Sequence, residues 1–370
     1  METAGSDSPK IYLYANQQLE NAILELLHKG SAPNATAVLP PDFHSPHAHT
    51  SPAVMPDLPP SPAAVLKRLG SQVADSVHFF EALNGPFPFD HLDVSQIPGS
   101  FGQGWPGLVY LSTLVFLTPE AQAQAGLAER TQEEARELMP FHEVAHQWWG
   151  NVVGSAIYRD AWIEEGMVNY LALMYTDARK PGEHRLASWL ERYRAALSAP
   201  IPESTQIVGD AGPLTFGFRL TSSRAPNAYE TVTYGKGTWV IHMLREMMRN
   251  RGANDPDGRF RELLRAILAD YRFRALSTDD FQRAVEQRMT PAMDLESTHS
   301  MDWFFAQWVR GTGIPYYSVE FQVKPHGQEF LVTGKLLQTG VDDIFTAAVP
   351  LYGGKPGGTP WAHKFVPREF

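Results

Sequence analysis

The strongest chemical signal in the sequence is a pair of histidines four residues apart, with a glutamate directly after the first. His142, Glu143 and His146 spell H-E-x-x-H. On a helix, residues i and i+4 lie on one face a turn apart, so both imidazoles can bind one metal ion. A catalytic zinc site takes three protein ligands and keeps a fourth position for water. A third ligand is therefore expected from a later element.

A carboxylate motif follows at a suitable distance. Glu165 lies in W-I-E-E-G, residues 162–166, and eighteen residues separate it from His146. That spacing lets the first helix end, the chain turn and a second helix pack against the first. Because adjacent residues differ by about 100° around a helix, the spacing alone leaves Glu164 and Glu165 as alternative ligands.

These residue types indicate hydrolysis by a metal-activated water. Zinc would lower the pKa of a bound water toward neutrality and polarise a substrate carbonyl. Glu143 would take the proton of that water and pass it to the leaving amine. The tetrahedral oxyanion needs a hydrogen-bond donor, which a phenol can supply. The chain has 13 tyrosines, so spacing alone does not choose one.

The elements that must position these residues follow from the apolar pattern. Val65, Leu69 and Val73 begin a three-to-four-residue period typical of an amphipathic helix. Pro140 lies two residues before His142, so we expect a kink or a new helix start there. The elements predicted around the motifs are a helix over 62–83, strands over 91–97 and 108–117 with a glycine-rich turn between them, and helices over 131–150 and 161–179.

The remaining segments frame this central part. Nine prolines in residues 33–62 predict a linker or surface loop, and its His44, His47 and His49 are better interpreted as exposed histidines than as a second metal site. Further predictions are a helical face within 11–27, irregular chain over 196–233, helices over 239–248, 260–271, 278–289 and 301–309, and a hairpin of strands 316–323 and 329–337.

Composition excludes several classes of protein. The net charge of −10 argues against a nucleic-acid partner, because phosphate binding needs a basic surface. The chain has no cysteine, which excludes disulfides and thiolate metal sites and is compatible with any compartment. The sequence contains no run of eighteen apolar residues, so no transmembrane segment is predicted. The polar residues 1–10 do not resemble a signal peptide. The expected partner is a peptide or protein substrate.

The two motifs together resemble those of the gluzincin zinc aminopeptidases, the group of membrane alanyl aminopeptidase and leukotriene A4 hydrolase. That family carries H-E-x-x-H-Q-W-F-G-N, eighteen residues, and then W-L-x-E-G, and residues 142–151 and 162–166 match it. The resemblance implies that Glu165 is the third zinc ligand. It also implies that Tyr234, in a Y-x-K-G match, is the oxyanion donor and that Tyr229 is a second active-site tyrosine. It covers about residues 62–345.

One departure from the family concerns substrate recognition. The aminopeptidases carry G-x-M-E-N, whose glutamate binds the free α-amine of the substrate, whereas residues 101–107 here read F-G-Q-G-W-P-G. Trp105 could line a side-chain pocket or pack under this loop, and Glu164 could replace the missing anchor or be an exposed helix carboxylate. The candidate substrate-binding residues are Gly102, Gln103, Gly104, Trp105, Glu164 and Tyr229.

The sequence thus predicts an α+β protein with a thermolysin-like zinc metallopeptidase catalytic domain, a helical domain and a C-terminal β module. The expected divisions are an N-terminal segment and linker over 1–61, the catalytic domain over 62–236, the helical domain over 237–313 and a β-sandwich-like module over 314–370. The expected activity is zinc-dependent peptide hydrolysis by an aminopeptidase, with one Zn²⁺ per chain. The alternatives are an endopeptidase or a peptidase for N-blocked peptides, and a non-catalytic zinc-stabilised binding module.

Overall fold

A computed structural model describes residues 9–30, 61–327, 329–353 and 361–365. Helices and strands are mixed along the chain, as expected of an α+β protein. Contacts divide the chain into two compact units. Unit 1 consists of Met1–Gly154, Met167–Trp189 and Leu264–Ala275, and unit 2 of Ser155–Gly166, Leu190–Leu263 and Leu276–Phe370. None of the helices in the described residues combines the length and the hydrophobicity that a membrane-spanning segment needs.

The regular elements are numbered in chain order. The strands are β1 (Lys10–Tyr14), β2 (His91–Ile97), β3 (Gln103–Trp105), β4 (Leu108–Ser112), β5 (Val153–Ser155), β6 (Arg274–Leu276), β7 (Tyr316–His326), β8 (Glu329–Thr339), β9 (Val349–Gly353) and β10 (Trp361–Phe365). The α-helices are α1 (Asn21–Gly30), α2 (Leu66–Asn84), α3 (Pro119–Gln124), α4 (Glu129–Glu133), α5 (Met139–Ala145), α6 (Ala161–Arg179), α7 (Arg185–Leu197), α8 (Gly237–Met248), α9 (Gly258–Asp270), α10 (Thr278–Glu286) and α11 (Asp302–Phe304).

Unit 1 contains a four-stranded sheet in the order β1-β2-β4-β3. The first three strands are parallel, and the short edge strand β3 runs antiparallel to β4. Sequence patterning predicted only a glycine-rich turn where β3 lies, because glycine weakens a strand signal. The strand predicted over 108–117 ends at Ser112, whose hydroxyl accepts a hydrogen bond from the Leu114 N–H and starts a 3₁₀ turn.

The N-terminal prediction needs a correction. A helical face was expected within 11–27, but residues 10–14 form β1, and the helix α1 begins only at Asn21. Pairing with β2 in parallel overrides the apolar spacing that Ile11 and Leu13 share with the residues of α1. Leu19, Ile23 and Leu27 are buried as the helical pattern predicted. The proline-rich segment and its three histidines lie outside the described residues.

An aromatic cluster packs α2, α5 and α6 together in unit 1. The Phe80 ring lies 6.2 Å from that of Trp148 and 6.0 Å from that of Tyr175, and Phe141 lies 4.6 Å from Tyr175, all between centroids. Such edge-on and tilted pairs add to the free energy gained from burying the rings. Because Phe141 directly precedes His142, the cluster fixes the start of the H-E-x-x-H turn.

A π-helical turn over Glu134–Leu138 precedes α5, and Pro140 lies in the first turn of α5. Pro140 has no N–H to donate to a preceding carbonyl, and a π-helical turn relieves the resulting mismatch in the ladder. The Thr176 hydroxyl of α6 donates to the Glu137 carbonyl oxygen at 2.6 Å, and Lys180 and Arg185 bind the Glu137 carboxylate. The irregularity expected near Pro140, a kink or a new helix start, is therefore present as a π-helical turn that leads into α5.

Unit 2 holds most of the later helices and the hairpin. Ser277 caps α10: Ser277 Oγ accepts from the Asp280 N–H, and the Asp280 carboxylate accepts from the Ser277 N–H. The last predicted helix is α11 continued by a π-helical turn over Phe305–Val309. Strands β7 and β8 form the predicted hairpin, and β9 pairs with β10. The division into a catalytic, a helical and a β domain stays a prediction.

Candidate active site

The two histidines of the motif lie at the C-terminal end of α5 and are buried. His142 is 9% and His146 8% exposed, and their Nε2 atoms lie 3.2 Å apart. The sequence spacing therefore places both ring nitrogens at one point, as the helical geometry requires. Glu143, 6% exposed, belongs to the same turn.

The tautomer of His146 follows from its hydrogen bond. Its Nδ1 lies 2.8 Å from the Trp149 carbonyl oxygen. A carbonyl oxygen only accepts, so Nδ1 carries the proton and Nε2 presents a lone pair. A backbone carbonyl on the far nitrogen is the usual support for a histidine that binds a metal.

Glu165, on α6, completes the predicted set of three. One ligand atom from each of His142, His146 and Glu165 lies within 4.8 Å of the others. Two imidazoles and one carboxylate are a donor set that zinc prefers, and three protein ligands leave room for water or substrate. The three residues therefore fit a zinc ion. Glu164, the alternative ligand, is not a member of this group.

The glycine-rich loop lies directly against the catalytic helix. A methyl group at Gly102 would come within 2.8 Å of the Cγ and Cδ atoms of Glu143. At Gly104 it would come within 2.6 Å of the His146 Cβ and 2.7 Å of the Glu143 carbonyl oxygen. Real Cβ atoms do not approach that closely, so an alanine at Gly102 would displace the Glu143 side chain, whereas Gly104 faces backbone and requires glycine. The loop thus borders both the predicted base and a predicted ligand.

Two motif residues with no assigned role hold this loop in place. Gln147 donates to the Trp105 carbonyl oxygen at 2.9 Å and accepts from the Gly107 N–H at 2.8 Å. Asn151 donates to the Gly104 carbonyl oxygen at 3.3 Å. Sequence reasoning missed both residues, although each has a side-chain amide that can donate hydrogen bonds to backbone carbonyls and accept them from backbone N–H groups. Their place within the H-E-x-x-H-Q-W-W-G-N run was the available signal.

The outer face of the loop carries its larger side chains. Phe101 is 60% and Trp105 51% exposed, and Gln103 is exposed as well. The indole of Trp105 therefore does not pack under the loop, which was one of the two alternatives. The other two tryptophans of this region are structural: Trp148 donates to the Gly85 carbonyl oxygen and Trp149 to the Asn84 side chain.

The two downstream motifs meet at their glycines. Within unit 2, a methyl group at Gly166 would lie 2.9–3.2 Å from the backbone of Gly237, and one at Gly237 would lie 3.2 Å from the Gly166 Cα. Gly166 follows Glu165, and Gly237 ends the π-helical turn Glu230–Lys236 that carries Tyr234. The direct backbone contact therefore fixes Glu165 relative to Tyr234, and W-x-x-E-G and Y-x-K-G each end in glycine for this reason.

The two predicted tyrosines form an edge-on pair. The ring centroids of Tyr229 and Tyr234 lie 6.1 Å apart with an angle of 88° between the ring planes. Burial raises the pKa of the Tyr229 phenol to about 12, and the charges of Glu165 and Glu164 add to that effect. Tyr229 is therefore a neutral hydrogen-bond donor over the whole physiological range.

Two further acidic residues, Glu164 and Asp160, accept hydrogen bonds from neighbouring segments of unit 2. Glu164 is half-buried, and its carboxylate accepts from the Ser155 N–H at 3.2 Å. Burial, with the neighbouring charge of Glu165, raises the pKa of Glu164 to about 7. Asp160, directly before α6, accepts from the Thr278 N–H and hydroxyl at 2.8 and 2.7 Å. It therefore joins the start of α6 to the start of α10.

Comparisons with known proteins identify the family of the chain. The model of the Peptidase family M1 domain matches residues 73–308, well over half of the chain. Aminopeptidase A of Gloydius brevicauda is 24% identical over 265 residues, covering 70% of this chain and 24% of that protein. Glutamyl aminopeptidase of Homo sapiens is 24% identical over 253 residues, covering 67% and 23%.

The chain spans about a quarter of the length of these curated relatives. Among solved structures, an M1 zinc metallopeptidase of Deinococcus radiodurans is 21% identical, with a TM-score of 0.44 and coverage of 66% of this chain and 45% of that one. The family match spans the H-E-x-x-H helix, Glu165 and the Tyr234 turn, and it confirms the family that the motifs predicted. The chain belongs to peptidase family M1.

Proposed function

We propose that this protein is a zinc metallopeptidase that hydrolyses peptide bonds and acts as an aminopeptidase. The observation that carries the proposal is the convergence of His142, His146 and Glu165 on one point, with Glu143 buried in the same helical turn. Membership of peptidase family M1 supports it. The named relatives, an aminopeptidase A and a glutamyl aminopeptidase, point to the same class of reaction.

Each residue has a defined task in this proposal. His142, His146 and Glu165 hold the zinc ion, which when bound acidifies water and polarises the scissile carbonyl. Glu143 accepts the proton of the attacking water and then protonates the leaving amine. Tyr234, supported by the neighbouring Tyr229, donates a hydrogen bond to the oxyanion. The edge strand β3, held by Gln147 and Asn151, offers backbone groups for the extended substrate.

Replacing the base tests the chemistry. Glu143→Gln keeps the shape of the side chain and should retain zinc, measured by metal analysis, while kcat/KM falls about 100- to 10,000-fold, the usual contribution of a general base. Glu120→Gln, a change on α3, is the matched control and should behave as wild type. Wild-type rates in Glu143→Gln would overturn the proposal. A zinc-loaded wild type that cleaves no peptide in a broad library would favour the binding-module alternative.

The altered loop makes internal cleavage a second candidate. The loop over 101–107 lacks the glutamate that binds the substrate amine in the resembled family, and glycines occupy its helix-facing side. Cleavage rates of the same peptides with free and N-acetylated termini separate the two. Loss of activity on acetylation supports the aminopeptidase. Equal rates, or faster cleavage of the acetylated peptides, favour an endopeptidase or a peptidase for N-blocked peptides.

A further inference from the structure

Unit 2 carries an exposed group of aromatic and basic side chains that the proposed reaction does not use. The arginine–aromatic patch consists of Tyr158, Arg159, Phe216, Phe218 and Arg219. Phe218 is 63%, Phe216 42% and Tyr158 37% exposed. Apolar groups gathered at this exposure are more often binding surfaces than accidents of composition.

The patch has a fixed shape. The rings of Tyr158 and Phe218 lie 4.8 Å apart between centroids. Gly217, between the two phenylalanines, has a φ of 54°, and a methyl group there would lie 2.6 Å from the Tyr158 carbonyl oxygen. Only glycine allows the two 3₁₀ turns within Leu214–Leu220, which meet at Gly217, to close on the segment before α6 in this way.

The two guanidinium groups lie over the rings. Arg159 is 5.7 Å from the Tyr158 ring centroid and Arg219 is 5.9 Å from that of Phe216. Both also hold the pKa of the Tyr158 phenol below its usual value. In the described part of the chain, neither forms an ion pair with a carboxylate. On a protein of net charge −10, this leaves a local positive site.

A positive site of this kind can bind a carboxylate group. A guanidinium group stacked on a ring keeps its N–H edge available and binds a carboxylate through two parallel hydrogen bonds. The exposed rings accommodate the apolar stem of an acidic side chain or of its neighbours. A nucleic acid is disfavoured by the net charge of −10 of the whole chain.

The patch lies close enough to Glu165 for one peptide to reach both. Tyr158 precedes Glu165 by seven residues, three of them before α6 starts at Ala161. Three extended residues span at most about 10 Å and four helical residues about 6 Å, so the two Cα atoms are at most about 16 Å apart. An extended peptide covers that distance in about five residues.

We propose that the arginine–aromatic patch is a secondary substrate site that binds an acidic side chain about five residues along the peptide from the hydrolysed bond. This inference rests on the proposed peptidase function and adds a substrate class to it, namely peptides with a downstream Asp or Glu. It requires Arg159 and Arg219 together.

Binding to the Glu143→Gln variant tests the patch without hydrolysis. Fluorescently labelled ten-residue peptides carry a single Glu or Gln at successive positions from three to eight, and anisotropy measures their Kd. We expect Glu to bind about three- to tenfold more tightly than Gln near position five, as two exposed charge pairs would give. The preference should shrink between 50 and 500 mM salt, because salt screens exposed charges.

The control variants separate the patch from general charge effects. Adding Arg159→Gln and Arg219→Gln should abolish the preference, while Arg272→Gln, whose guanidinium lies 4.8 Å from the exposed Phe273 ring, should preserve it. Equal Kd values for Glu and Gln peptides at every position would contradict the proposal that the patch is a secondary substrate site, even where the wild type hydrolyses the same peptides. Arginine-dependent binding of phosphatidylserine vesicles with equal Kd values would assign the patch to a membrane surface instead.

Failure of the secondary site and failure of the peptidase function give different results. An arginine-dependent preference in a protein whose wild type cleaves no peptide would support the patch and contradict the peptidase. Hydrolysis of Glu and Gln peptides with the same KM and kcat would leave the peptidase intact and remove the secondary site.

Discussion

At the scale of single residues, two glycines without chemistry of their own determine the surroundings of the predicted base. Gly102 faces the side chain of Glu143, and Gly104 faces the Glu143 carbonyl oxygen and the His146 Cβ. The atoms that an added methyl group would meet differ in kind. At Gly102 they belong to a flexible side chain, whereas at Gly104 they belong to backbone and to a buried ligand. Substitutions at Gly102 and Gly104 should therefore have different effects on activity, stability and zinc binding.

We expect Gly102→Ala to displace the Glu143 carboxylate and lower kcat by tenfold or more, while the zinc content stays that of wild type. Gly104→Ala should push against α5 itself, destabilise the fold by about 1–3 kcal/mol and weaken zinc binding. Metal analysis, denaturant unfolding and steady-state kinetics on both variants distinguish the two effects. Loss of zinc in Gly102→Ala, or full activity in either variant, would contradict the arrangement.

Lys236 shows a different residue-scale constraint. It is 2% exposed, and its ammonium donates to the Gly311 carbonyl oxygen at 3.0 Å. Burial lowers the pKa of Lys236 from 10.5 to about 8, opposed by the charge of Asp210. Between these values the unfolded chain binds a proton that the folded chain does not. The free energy of unfolding should therefore rise with pH across this window.

The matching measurement is denaturant unfolding at pH 7.5 to 10 for wild type and Lys236→Met. Relative to the variant, the wild type should gain up to about 3 kcal/mol as pH rises, since one pKa unit corresponds to about 1.4 kcal/mol. Other groups that titrate in this range are present in both proteins, so their effects cancel in the difference. Parallel curves for the two proteins would show that Lys236 keeps an ordinary pKa.

The residues that sequence reasoning found differ in kind from those it missed. His142, His146 and Glu165 were predictable because helical spacing and the family pattern constrain ligand positions, and the structure groups all three. Gln147, Asn151 and the Gly166–Gly237 contact were not predicted, because each depends on which backbone segment lies opposite. The roles of Glu143 and Tyr234 stay predictions until variants are measured.

At the scale of elements, α6 crosses the start of α8 within unit 2. This contact positions Glu165, the predicted ligand, and Tyr234, the predicted oxyanion donor. The Gly166 and Gly237 backbones touch there, so no side chain can be added at Gly166 without separating the two helices. At Gly237 the nearest atoms lie at 3.2 and 3.4 Å, a tighter than ordinary contact that a small adjustment can relieve.

The two glycines therefore give a matched pair of substitutions. Replacing a helical glycine by alanine gains about 1 kcal/mol in helix propensity, and overpacking costs about 1–3 kcal/mol. Gly237→Ala should be close to neutral in stability. Gly166→Ala should destabilise the protein and lower kcat, because it shifts Glu165 from Tyr234. Thermal unfolding and kinetics test both, and an equal loss in the two variants would contradict the asymmetry of the contact.

Element boundaries were predictable where local signals agree with tertiary packing. The 161–179 helix, the Ser277 cap and the 316–339 hairpin follow the sequence pattern. β1 and β3 were not predicted as strands, because their identity comes from pairing with β2 and β4 rather than from their own residues. The same holds for the π-helical turns, which arise where a proline or a helix contact disturbs the regular ladder.

At the scale of the whole molecule, a bound zinc ion should contribute to stability because its ligands come from both α5 and α6. A ligand that binds only the folded state stabilises it by about 4 kcal/mol when its concentration is 1,000 times its Kd. For a chain of 370 residues that corresponds to a Tm higher by about 5 °C. Removing the metal with 1,10-phenanthroline should lower the Tm by this amount, and added zinc should restore it.

The ligand variants determine whether this shift belongs to the predicted site. Glu165→Ala should melt like the metal-free wild type and respond little to chelator, because the third ligand is lost. Glu143→Gln should keep the full chelator-dependent shift, since the base holds no metal. Glu164→Gln should also keep it, which decides experimentally between the two adjacent glutamates that helical spacing left open. A chelator-dependent Tm shift that persists in Glu165→Ala but is absent in Glu164→Gln would show that Glu164, and not Glu165, is the third zinc ligand on α6.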